Sequence, residues 1–213
     1  MSSYISLFLL YFMSSFTLVN PIGMMPVFMS MTTDLEQEVR KRTARKAVIV
    51  ATLTLIGFAF TGQFIFWFFG ISVHSFRIAG GIILLYIGFD MLQARITHTK
   101  IKEDEIKKYV TDISVTPLAI PMLAGPGSIS NAIIMMDGAK GTAETIVLLV
   151  SFIGVGISSF LILWSSTKVS KVLGETGNKV LMRLMGLIVM VIAVEFLLSG
   201  LKPVMIDVLK SVK

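Results

Sequence analysis

The chain has 213 residues and a mass of 23.4 kDa; 54% of the residues are hydrophobic, 15% are charged, and the mean hydropathy is +0.84. An ordinary soluble domain carries about 25% charged residues, so this chain lacks the polar surface to cover itself in water, and a soluble enzyme and a disordered chain are both excluded. The absence of Cys removes disulfides, thiolate metal sites and thiol nucleophiles. A net charge of +6 would raise nucleic acid as a partner for a soluble protein; here membrane topology accounts for it, and no nucleic-acid partner is expected.

No charged residue occurs in 1–33, 47–76, 113–136 or 145–167, and uncharged apolar stretches of about 20 residues read as membrane spans. Six spans follow in chain order: 4–31, 47–71, 76–93, 115–136, 145–165 and 180–201. The first has no basic leader and is about twice the length of a signal-peptide core, so it reads as a retained span. Arg40, Lys41, Arg42, Arg45 and Lys46 follow span 1; Arg95, Lys100, Lys102, Lys107 and Lys108 follow span 3; Lys168, Lys171, Lys179 and Arg183 follow span 5. These are fourteen of the 19 basic residues. The excess of basic residues on one side predicts a multi-pass cell-membrane protein with these loops in the cytoplasm and both termini outside. The mixed-charge stretch 99–111 reads as a solvated cytoplasmic linker, and His74 and His98 fall in loops without an assigned role.

Landmarks recur at one spacing. Pro21 in span 1 is matched by Pro126 in span 4, 105 positions on, and Arg77-Ile-Ala-Gly80 by Arg183-Leu-Met-Gly186, 106 positions on. Asp90 and Glu195 follow their Arg by 13 and 12 positions. Three matches in order argue for a duplicated unit of three spans. Because three is odd, the copies cross the membrane in opposite senses, which is a secondary-transporter architecture. The expected fold is therefore an all-α polytopic domain of six transmembrane helices in a 3+3 inverted repeat: first repeat 1–98, cytoplasmic linker 99–112, second repeat 113–213.

Spans 1 and 4 carry five of the six prolines. The 33 uncharged residues at the start would make a straight helix about 50 Å long against a hydrocarbon core of about 30 Å. Asn20-Pro21-Ile22-Gly23-Met24-Met25-Pro26 falls within it, and Pro117, Pro121 and Gly125-Pro126-Gly127 fall in span 4. Proline gives no N–H to the carbonyl four residues back. Asn is a favoured N-cap and Pro a favoured first helical residue, so Asn20-Pro21 reads as the start of a new half-helix, and Gly125-Pro126 reads likewise. Each break is expected to leave amides open (residues 22–24; 127–129) and carbonyls open on the half-helix before it (17–19; 121–123). Unpaired backbone costs several kcal/mol per group in hydrocarbon, so it must be buried in protein or line a polar cavity.

Helix N-termini favour a carboxylate, and bare carbonyls suit an ammonium group. The side chains near the breaks, Asn20, Ser128, Ser130 and Asn131, are neutral, which points to a zwitterion. Gly23, Gly125 and Gly127 allow close backbone approach and favour a compact one such as glycine or alanine. The candidate substrate-binding set is Asn20, Pro21, Ile22, Gly23, Gly125, Pro126, Gly127, Ser128 and Asn131.

At these residues the sequence resembles the MarC family of small neutral amino acid transporters, also known by its SnatA members. The family pattern Asn-Pro-x-Gly-x-x-Pro is matched by Asn20, Pro21, Gly23 and Pro26, and Ala-Gly-Pro-Gly by Ala124, Gly125, Pro126 and Gly127; the six-span length matches as well. The resemblance covers essentially the whole chain and implies proton-coupled transport of small neutral amino acids.

Asp90 and Glu195 are the acidic residues nearest hydrocarbon and the candidates for carrying the coupling proton. Arg77 and Arg183 read as snorkelling anchors. Enzyme chemistry is not expected: Gly127-Ser128 has no His in any span to act as base, Asp90 has no second membrane Asp, and no metal-ligand spacing, nucleotide loop or cofactor motif appears. The rival to a carrier is a channel, or an exporter, for another small solute, since half-helix dipoles also build pores. In the naturally Cys-free chain, a single Cys at Arg42 is expected to react with an impermeant maleimide only from the cytoplasmic side, and one at Lys140 only from outside. The reverse pattern would invert the orientation.

Overall fold

The computed structural model describes residues 2–32, 35–93 and 112–211; the linker 99–111 and His98 lie outside them. In the described residues the chain is helical, with no strand. The helices are α1 (Ser2–Val19), α2 (Pro21–Met31), α3 (Gln37–Phe68), α4 (Val73–Leu92), a widened segment α5 (Ser114–Leu123), α6 (Pro126–Gly138) and α7 (Gly141–Ser211). Five stretches are long and apolar enough to cross a membrane, and a sixth is obtained if α5 and α6 are counted as one bent span. The chain is thus an all-helical, polytopic membrane protein.

Asn20, the one residue between α1 and α2, has left-handed backbone angles (φ 46°, ψ 56°). The two pieces still pass as one apolar stretch, Tyr4–Met29. Pro26 rides inside α2 without ending it, so the interruption lies wholly at Asn20. α5 and α6 meet at 60°. Within α5, Thr116 and Ile120 take extended angles. Each precedes a proline, whose ring disfavours the helical conformation of the residue before it.

α2, α5 and α6 occupy the middle of the molecule. Val27, Phe28 and Met29 of α2 are buried, as is every residue from Met122 to Ser130. α3, α4 and α7 surround them, and Leu53, Phe60, Phe64, Ile82, Tyr86, Ile157 and Val191 face outward. Lipid is as apolar as the core, so exposed Leu, Ile and Phe on the rim cost nothing there.

The expected loop between spans 5 and 6 has helical backbone, since α7 spans the 71 residues Gly141–Ser211. A straight helix of that length would extend about 107 Å. Val155 and Ile192, however, line two small cavities that share Val19 as a wall. The two apolar windows of α7, Gly141–Ser166 and Met182–Ile206, therefore stand beside the same level of the bundle rather than end to end.

The window after Met182 packs against α4 through small residues. A Cβ on Gly186 would stand 2.8 Å from the backbone nitrogen of Leu92 and 2.9 Å from the carbonyl oxygen of Gly88, and one on Gly81 2.9 Å from the carbonyl of Ala193. Such contacts allow close helix approach in a medium that supplies no hydrophobic drive between helices. Gly186→Ala is expected to lower stability by about 1–3 kcal/mol. Gly57→Ala, at a site with nothing within 4 Å, should be neutral or stabilising by up to about 1 kcal/mol. Thermal unfolding in detergent checks both; equal Tm values would remove the packing role of Gly186.

Candidate functional site

The site is built where α1 gives way to α2 and α5 to α6. Asn20 is the N-cap of α2: its Oδ1 accepts from the Gly23 amide at 3.2 Å, and its carbonyl accepts from the Met24 amide at 3.2 Å. Asn tolerates left-handed angles better than other residues with a side chain, so one residue breaks the helix and seals the new start. Of the three amides expected open there, only Ile22 has no partner among the described residues.

The second interruption is sealed less completely. Gly125 precedes α6 and has no side chain to cap it; the Ile129 amide bonds the Gly125 carbonyl at 2.9 Å, which leaves the Gly127 and Ser128 amides without partners among the described residues. The Ser128 hydroxyl is buried and also has no partner. A Cβ on Gly125 would sit 2.7 Å from the Pro121 carbonyl oxygen, and one on Gly127 would run into the Phe196 ring. No larger residue fits either place without moving backbone or ring.

The two interruptions face one cavity of about 50 Å³. Asn20 and Gly23 line it from the first, Gly125, Gly127 and Ser128 from the second, and Leu84 and Phe196 from the surrounding helices. None of its lining residues is charged. Pro21 and Pro126 are buried outside the lining, with the Pro126 ring packed on Gly80. Ile22 is outside the lining as well, 60% exposed on the outside of the bundle.

Asn131 lies one turn further along α6 and is used as a cross-link. Its Oδ1 accepts from the Ser14 hydroxyl at 3.2 Å, and its Nδ2 donates to the Met135 sulfur at 3.3 Å. Ser14 and Asn131 thereby tie α1 to α6. Asp90 is half-buried near the end of α4, Glu195 is exposed, and neither lines the cavity. Among the described residues no cluster of His, Asp or Glu could hold a metal ion.

A family model described as MarC family integral membrane protein matches residues 5–205. The chain belongs to the MarC family. A UPF0056 membrane protein of Pyrococcus horikoshii is 37% identical over 198 residues, covering 93% of this chain and 96% of that protein. The UPF0056 membrane protein YvbG of Bacillus subtilis is 39% identical over 194 residues, covering 90% and 92%. A UPF0056 membrane protein of Buchnera aphidicola is 37% identical over 206 residues, covering 93% of each. No solved structure matches.

The walls that sequence reasoning missed are Leu84, Val189, Ile192 and Phe196 of this MarC chain. They are apolar residues in apolar helices and carry no periodic signal. Asn20→Ala is expected to cost about 2–3 kcal/mol, from the lost cap together with Ala in left-handed angles. Asn20→Gly should cost only a few tenths. Thermal unfolding of the two variants checks this, and an equal loss in both would contradict the strained cap.

Proposed function

We propose that this MarC chain is a secondary transporter of small neutral amino acids, glycine and alanine foremost, driven by protons, with the substrate held between its two interrupted spans. The observation that carries this reading is the shared cavity, where two helix interruptions from opposite halves of the chain face each other. Interruptions in corresponding spans of two repeats are the recurring position of transporter sites.

The wall chemistry supports a zwitterion. The open amides of Gly127 and Ser128, the unpartnered Ser128 hydroxyl and the positive end of α6 suit a carboxylate. Across the cavity, the carbonyls of Leu18 and Val19 accept from no backbone amide among the described residues and suit an ammonium group. With no charged side chain in the lining, a ligand of zero net charge is the one that leaves no charge uncompensated.

The inverted repeat is part of this proposal. α4 and the second window of α7 run antiparallel, with Gly81 against Ala193 and Gly88 against Gly186 and Met190. The centre of that crossing falls at Leu84 and Met190, residues related by the repeat spacing of 106. Leu84 lines the cavity, as does Val189 beside Met190, so a two-fold axis relating the halves would pass through the site. Glu195 stands midway along an apolar window, and we assign it, ahead of Asp90, to the coupling proton.

The test is uptake of labelled glycine by purified protein in liposomes, with and without a proton gradient. Saturable uptake, counterflow and stimulation by the gradient are expected. Gly127→Val should abolish uptake, and Ser128→Ala should lower apparent affinity about tenfold, as for a lost hydrogen bond to a charged group. Glu195→Gln should keep counterflow and lose the response to the gradient. Non-saturating flux without counterflow would make the protein a channel instead.

A further inference from the structure

We infer that Phe196 sets the upper size limit on the substrate, an inference that rests on the transport reading of this cavity. Phe196 is the one aromatic residue in the lining. Its ring stands against the backbone of Gly127, where a Cβ would come within 2.9 Å of both ring Cε atoms. The ring therefore lies over the first turn of α6, beside the open amides of Gly127 and Ser128.

That placement matters because the side chain of an amino acid leaves from the carbon next to its carboxylate. A carboxylate held by those amides sends its side chain toward whatever covers the first turn of α6, which is Phe196. Among the other walls, Leu84 and Met24 are buried in the core, and Asn20 is held in its capping bond. The cavity of about 50 Å³ has room for roughly four water-sized groups. Glycine is close to that size, alanine adds one methyl, and leucine exceeds it unless the ring is removed.

Phe196 also belongs to a different element from the backbone it covers. The ring comes from the second window of α7, while the amides belong to α6. The polar recognition and the size limit are thus separable, and removing the ring leaves every backbone group of the two interruptions in place.

The experiment is exchange of labelled glycine against unlabelled glycine, alanine, valine or leucine in liposomes holding the full-length protein. Wild type should exchange glycine and alanine and exclude leucine. Phe196→Ala should raise leucine exchange relative to glycine at least tenfold. Phe196→Leu, which keeps an apolar side chain in the helix, should give an intermediate gain with valine and decides the matter if the Ala variant is not monodisperse. Leu198→Ala, on the outward face of the same helix, should leave the preference unchanged. Glycine exchange in both Phe196 variants with valine and leucine still excluded would overturn the size limit while leaving the transport reading standing. Absence of glycine exchange in wild type would overturn the transport reading, and the size limit with it.

Discussion

Unpaired peptide groups are what hydrocarbon tolerates least, and the architecture of this chain follows from where it places them. Proline creates such groups at two points, before Pro21 and before Pro126. Both points are in the centre of the molecule, with the run from Met122 to Ser130 fully buried and Val27 to Met29 beside it. The apolar helices α3, α4 and α7 act as a jacket that keeps lipid away from these groups. Close packing of the jacket depends on backbone-to-backbone contacts such as Gly88 with Gly186. In lipid, shape complementarity replaces the hydrophobic effect as the source of association.

The two interruptions solve the same problem differently. At the first, one Asn supplies both the left-handed turn and the cap, so its side chain and carbonyl use up two of the three free amides. At the second, Gly125 is extended and supplies no cap, and two amides of the first turn and the Ser128 hydroxyl are left without partners among the described residues. The two interruptions are therefore unlike in their hydrogen-bonding groups.

Much of this was legible in the sequence because proline and glycine act through hard rules. A missing N–H, a forbidden ring clash and an Asn-Pro start depend on no distant residue, and Asn20-Pro21 and Gly125-Pro126 lie at helix starts as their chemistry requires. Pro26 shows the limit of the rule. Six residues past the cap it sits inside α2, because a buried helix braced on all sides can absorb one lost backbone bond. The run between spans 5 and 6 read as a loop from its lysines, and it is helical in the structure. Lys and Arg are good helix formers, so charge reports the water phase there and not the backbone. The cavity walls were illegible for a further reason: a membrane helix is apolar on its lipid face and its protein face alike. Nothing in the pattern around Leu84, Ile192 or Phe196 told which side each would take.

Asn131 carries the same lesson in reverse. A polar residue in an apolar span, one turn from a helix break, points by default to ligand contact. Its amide instead joins Ser14 to Met135, holding α1 against α6. This bond spans the two halves of the chain close to the cavity they share, and it links the helix that enters the first interruption to the helix that leaves the second. Any motion that opened the cavity by separating α1 from α6 would have to break it in an apolar medium with no water to replace it. A hydrogen bond costs most to lose in that setting, so α1 and α6 are better suited to move as one body.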